Sequence, residues 1–194
     1  CERYGYSFFP VQVDYELFQD APVTRQYPNK EMYYRLLAPF LLPGEIKRIL
    51  YLDPDILVIN PLRPLWETDM EGRLFAAAAH TGKTELVNKE VYNFVEQHRR
   101  ELLLPDQDIL NVLYGERILP LEDVLWNYDA RNYSSYVLRS GGLWDMEWVM
   151  EHTAILHFCG KEKPWKPNYR RRFGVLYRHY MQLTRRELEP GSSD

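Results

Sequence analysis

Short apolar runs alternate with stretches of helical spacing and with breaks marked by proline, glycine and charge, the pattern of an α/β domain. Arg48–Leu52, apolar after its first residue, and Ile56–Ile59 are runs of strand length, and both are predicted to be strands. Leu74–Ala79 reads as another, its alanines suited to close packing, and Ile118–Leu121 and Ala154–His157 complete the set. Between them the apolar period lengthens towards that of a helix. Asn29 is a suitable N-cap for a helix from Lys30 to about Phe40, with Tyr33, Leu36, Leu37 and Phe40 on one face and Pro43-Gly44 beyond its end. Lys89–Leu103 places Val91, Phe94, Val95, His98 and Leu102 on one face. Leu104-Pro105 ends it, and Asp106–Tyr114 starts a new helix with acids in its first turn. Trp144–His152 is also predicted to be helical. Trp126–Tyr133 reads as a polar, aromatic loop suited to contacting a sugar; the plainer alternative is a surface loop anchored by its tyrosines.

The C-terminal region changes the picture of the surface. Tyr169, Phe173, Leu176, Tyr177, Tyr180 and Thr184 recur at helical spacing, so a basic amphipathic helix is expected over residues 168–186. From Lys161 to Arg186 the basic residues are Lys161, Lys163, Lys166, Arg170, Arg171, Arg172, Arg178, Arg185 and Arg186, against Glu162 alone. Such a helix can lean on an anionic membrane. The favoured reading is that its aromatic stripe packs onto the body.

Composition bounds the rest. With 194 residues, 45% of them hydrophobic, the chain suits one domain spanning residues 1–194 with a sizeable core. A formal charge of −4 argues against a nucleic-acid binder. No apolar run approaches a membrane span, no signal pattern opens the chain, and two cysteines form no disulfide framework. A cytoplasmic location is therefore expected, peripheral at the inner face of the membrane if the basic helix engages lipid.

Two segments carry chemistry. In Tyr51-Leu-Asp53-Pro-Asp55-Ile, acids interrupt an apolar run, and ionised carboxylates at a buried strand end need a cation or hydrogen bonds. Residues two apart in extended backbone point to the same side, so Asp53 and Asp55 could share one divalent ion, Mg²⁺ or Mn²⁺ by their hard oxygens. Alternatively they merely solvate a turn. The second segment, Ala154-Ile-Leu-His157-Phe-Cys159-Gly160-Lys161-Glu-Lys163-Pro-Trp165, runs from an apolar strand into a basic loop. His157 at the strand end can join two carboxylates as a third ligand. Gly160 lets backbone approach a ligand closely, and Lys163 offers a point charge to phosphate. Three decoys fail. Thr81-Gly-Lys-Thr84 lacks the first P-loop glycine because position 77 is Ala. Asn132-Tyr-Ser134 is a sequon without a secretory signal, and Cys159 beside His157 has no partner pair for zinc.

Taken with Tyr34-Arg35-Leu36…Pro39…Leu42-Pro43 and Pro105-Asp106-Gln107-Asp108-Ile-Leu-Asn111, these motifs resemble those of glycosyltransferase family 8, in the family's order, from about Tyr33 to Trp165. The resemblance implies a GT-A-like mixed sheet flanked by helices, of the nucleotide-diphospho-sugar transferase type. It also implies a metal-dependent retaining enzyme that moves a hexose, galactose or glucose, from a UDP-sugar to a cell-surface glycan or glycolipid. Asp53, Asp55 and His157 match the family's manganese ligands. Gly160 and Lys163 match residues that hold the donor diphosphate, and Arg35 matches an arginine reaching the nucleotide-sugar. Asp106 matches a carboxylate on the transferred sugar's hydroxyls, and Gln107 the amide facing the anomeric carbon.

Two parts of the family pattern are not found: an opening strand–helix–strand unit, and a stretch between the alanine-rich strand and the Asp-Gln-Asp helix. The fold is therefore expected to be incomplete, with a junction between Lys83 and Lys89 where a Cα spacing above about 3.8 Å would reveal a break. A non-catalytic nucleotide-sugar-binding relative is the alternative function. A glycoside hydrolase is disfavoured, since its two acids stand roughly 5–9 Å apart across a sugar, whereas Asp53 and Asp55 are separated by a single residue.

Overall fold

The computed structural model describes residues 4–13, 34, 41–78 and 114–188. The chain groups into two compact units, Cys1–Tyr51 with Leu86–Glu116, and Leu52–Glu85 with Arg117–Asp194. In the first, the Pro43-Gly44 break forms a turn in which Ile46 N–H donates to Pro43 O (3.0 Å). The helices expected over Lys30–Phe40, Lys89–Leu103 and Asp106–Tyr114, like the junction at 83–89, fall largely or wholly outside the described residues.

The second unit holds the elements that matter for the site; only the 3₁₀ turn begins in the first, whose last residue is Glu116. In chain order they are β1 (Ile56–Val58), α1 (Arg63–Trp66), β2 (Phe75–Ala78), a 3₁₀ turn (Gly115–Arg117), β3 (Ile118–Leu121), α2 (Asp123–Trp126), β4 (Tyr128–Asp129), α3 (Tyr133–Arg139), α4 (Met146–His152), β5 (Ile155–His157) and α5 (Gly174–Leu188). One sheet has the order β1-β5-β4, and β2 pairs with β3 in another. β5 is central. It pairs antiparallel with β1, Ile56 opposite His157 and Val58 opposite Ile155. It pairs parallel with β4, Tyr128 opposite Leu156. A strand covered on both faces should be apolar throughout, and Ala154, Ile155, Leu156 and Phe158 are all buried.

The core gathers around that strand: Val124, Tyr128, Tyr136, Val149, Leu156, Phe158, Tyr169 and Phe173 form one cluster. Each large side chain fully buried there contributes about 1.5–3 kcal/mol. Helix α4 fixes the approach to β5. Asp145 caps it, Oδ1 accepting from Trp148 N–H at 2.9 Å. At its other end Asn60 Nδ2 donates to Met150 O (2.9 Å) and Thr153 O (2.8 Å), satisfying carbonyls that a helix end leaves open. Asn60 follows β1, so this contact ties the exit of β1 to the start of β5.

Three expectations are corrected. Arg48–Leu52 is irregular and not a strand. Trp126–Tyr133 is not a surface loop, because it contributes the end of α2, all of β4 and the start of α3. Tyr128 is fully buried and stacks on Tyr136 with ring centroids 4.2 Å apart. Asp129 can follow it inside because Arg131 and Asn132 satisfy its carboxylate locally. The C-terminal helix starts at Gly174 rather than 168. Tyr169 and Phe173 precede it and lie in the core, with Leu176 and Tyr177 packed against them, so this part of the aromatic stripe is used internally. No helix among the described residues is long and apolar enough to cross a membrane.

Candidate metal centre

Asp55 immediately precedes β1 and His157 closes β5, so the antiparallel register that sets Ile56 opposite His157 also carries the acid to the imidazole. The ladder continues one step further, with Phe158 N–H donating to Asp55 O at 2.9 Å. His157 Nε2 lies 3.2 Å from Asp55 Oδ1 and 3.9 Å from Asp53 Oδ2. One donor atom from each of Asp53, Asp55 and His157 falls within 4.8 Å of the others. All three residues are half-buried, so the group opens to solvent while its backbone is held by the sheet.

Electrostatics ties the group together. Burial by itself would lower the His157 pKa, but hydrogen bonds with Asp55 and Cys159 and the nearby negative charge raise it to about 10. Burial pushes the Asp55 carboxyl up, yet hydrogen bonds and charge from His157 and Lys163 win and hold it well below the usual carboxylate range. The two acceptor oxygens of Asp55 are divided: Oδ1 faces His157, and Oδ2 accepts from Lys163 Nζ. Lys163 also donates to Phe158 O at 3.0 Å. The far side of the imidazole is held as well. His157 Nδ1 is 2.8 Å from Asn127 Oδ1, and Asn127 Nδ2 donates to Ala78 O at 2.8 Å.

The donor set fits a hard divalent ion. Two carboxylate oxygens and an imidazole nitrogen are ordinary ligands for Mn²⁺ or Mg²⁺. Neighbouring ligands of an octahedral ion with metal–oxygen distances near 2.1 Å stand about 3 Å apart, close to the 3.2 Å between His157 Nε2 and Asp55 Oδ1, while the 3.9 Å to Asp53 Oδ2 is wider. With Oδ2 of Asp55 engaged by Lys163, Oδ1 stays available on the His157 side. The ammonium of Lys163 stands beside the same carboxylate.

Gly160 has φ +86°, in the region that favours glycine, and a Cβ there would meet Arg131 Nη1 at 2.8 Å. Arg131 is aimed by Asp129, which accepts from its Nε at 2.9 Å and its Nη2 at 2.7 Å. The structure thus gathers Asp53, Asp55, His157 and Lys163, with Gly160 in the connecting loop. Arg35, Asp106 and Gln107 lie outside the described residues. Asn127 and Arg131 were not anticipated. Both fall in the stretch read as a sugar-contacting loop, and nothing in local sequence tells that one reaches His157 and the other lies against Gly160.

The family model for Glycosyl transferase family 8 matches residues 7–91 and 83–168. "General stress protein A" of Bacillus subtilis is 29% identical over 219 aligned positions, covering 94% of this chain and 75% of that protein. Those 219 positions outnumber the 194 residues of the chain, so the relative carries residues within the matched span that this chain lacks. The two family matches overlap across 83–91, the region of the expected junction. "Glycosyltransferase GlyF" of Streptococcus pneumoniae serotype 4 is 27% identical over 206 positions, covering 95% of this chain, which spans half the length of that relative. Among solved structures, the galactosyltransferase LgtC, crystallised with donor and acceptor sugar analogs, superposes with a TM-score of 0.69 at 21% identity, over 89% of this chain and 74% of that one. That likeness bears on the fold, which is the GT-A-like mixed α/β arrangement expected from the sequence.

Proposed function

The chain belongs to glycosyl transferase family 8, and from that we propose that it transfers a hexose, galactose or glucose, from a UDP-sugar to a glycan or glycolipid, using Mn²⁺ or Mg²⁺ at Asp53, Asp55 and His157. The observation that carries this reading is the convergence of two carboxylates and an imidazole from segments a hundred residues apart, with one donor atom from each within 4.8 Å of the others. Side chains that merely solvated a turn would not require an imidazole delivered by a buried central strand. A divalent ion bound there supplies Lewis-acid neutralisation of the diphosphate leaving group. The chain's own residues do the rest. Asp53, Asp55 and His157 would hold the cation. Lys163, on Asp55 Oδ2, would offer its charge to the departing phosphate. Gly160 lets the loop backbone come close to the same oxygens. Arg35 would reach the nucleotide-sugar and Asp106 the sugar hydroxyls. The neutral amide of Gln107 would face the anomeric carbon and stabilise the developing positive charge. These last three roles rest on the family resemblance.

Incubation of the full chain with UDP-galactose or UDP-glucose, followed by UDP release, tests the proposal. Turnover should require Mn²⁺ or Mg²⁺, stop on adding EDTA, and be lost in Asp55→Ala. UDP release that is indifferent to chelator would overturn the metal assignment. The residues missing from the matched span relative to General stress protein A favour a second reading, a nucleotide-sugar-binding relative without catalysis. Metal-dependent UDP-sugar binding with no UDP released would select it.

A further inference from the structure

Asn127 carries an inference beyond the three ligands. A primary amide has one acceptor oxygen and one donor nitrogen, and a backbone carbonyl can only accept. The 2.8 Å contact with Ala78 O therefore orients the amide, Nδ2 on Ala78 and Oδ1 on the His157 ring. An amide oxygen 2.8 Å from a ring nitrogen calls for a proton on that nitrogen. His157 Nδ1 is thus a donor, which leaves Nε2 as the nitrogen a cation would take, displacing the proton that Nε2 otherwise shares with Asp55 Oδ1. Nε2 is the atom 3.2 Å from Asp55 Oδ1 and 3.9 Å from Asp53 Oδ2. Ala78 is the last residue of β2 and pairs with Leu121 of β3, so the carbonyl at the start of this relay is fixed by a sheet.

We propose that Asn127 is the positioning residue of the metal centre: the Ala78 carbonyl sets the amide, the amide sets the tautomer and tilt of His157, and Nε2 is thereby presented to the cation. The role rests on the metal reading above. It differs from a structural tie between β2 and α2, because a tie needs only the Nδ2–Ala78 bond, whereas positioning needs the Oδ1–His157 bond. The two halves separate in variants. N127A removes both bonds, while N127D retains an acceptor for Nδ1–H and loses the donor to Ala78.

Two readouts on the full chain test the role. In ¹⁵N-edited spectra of the metal-free protein, the His157 Nδ1 proton should be protected in wild type and N127D and exchange-broadened in N127A. In Mn²⁺ titrations followed by electron paramagnetic resonance, N127A should bind roughly 10- to 100-fold more weakly, with N127D recovering most of the loss. Unchanged Mn²⁺ affinity in N127A, or a ring proton still protected there, overturns the role, whatever happens to thermal stability. A wild type that binds no Mn²⁺ overturns the metal reading, and this role with it. A wild type that binds while N127A binds equally well overturns the role of Asn127 alone.

Discussion

At the scale of single residues, the site depends on positions whose neighbours are set by distant chain. Gly160 is the clearest. Its φ of +86° is costly for any residue with a Cβ, and the Cβ would also collide with Arg131 Nη1. Left-handed backbone costs an L-residue about 1–2 kcal/mol. Gly160→Ala is therefore expected to lower stability by at least that much, read as a shift in the urea midpoint with an unchanged slope. An unchanged midpoint would mean that the loop relaxes freely. The sequence already singled out Gly160 as a point of close backbone approach. What the local pattern could not supply is the identity of the neighbour, since Arg131 is aimed there by the buried carboxylate of Asp129. Asp53, Asp55, His157 and Lys163 were legible for a different reason. Charged and ligating side chains that end apolar strands need compensation, and that need is visible without coordinates.

Among the elements, legibility followed continuity of apolar character. β2, β3 and β5 stand within a residue of the expected runs, because each is a short run without a charged interruption before its end, and β5 is also central and buried. β4 was hidden. Tyr128-Asp129 sits among polar neighbours, and its burial depends on ion pairing and aromatic stacking that no periodicity announces. At the start of α5, Gly174 packs against Tyr169. A Cβ on Gly174 would meet Tyr169 Cδ1 at 2.5 Å and Cε1 at 2.9 Å, with the Tyr169 ring buried. Alanine is the better helix former by up to about 1 kcal/mol, whereas overpacking a closed core costs about 1–3 kcal/mol. The second effect should win. Gly174→Ala is expected to lower the thermal midpoint, and a raised midpoint would show that Tyr169 can move aside. Because Tyr169 and Phe173 help bury Phe158, next to His157, loosening α5 should also weaken the metal centre.

For the whole molecule, a sheet register, a helix cap and an amide relay converge on one small volume. β1 and β5 deliver Asp55 and His157, Asn60 fastens their far ends through α4, and β2 orients His157 through Asn127. Family membership and GT-A-like fold follow from the comparisons, while the chemistry rests on whether this volume holds a cation. Anomalous diffraction from crystals grown with Mn²⁺ tests that most directly. One strong manganese peak is expected, coordinated by Asp53, Asp55 and His157 Nε2 and absent in Asp55→Ala. A fully occupied peak elsewhere, or none at saturating Mn²⁺ with the three side chains ordered, would contradict it.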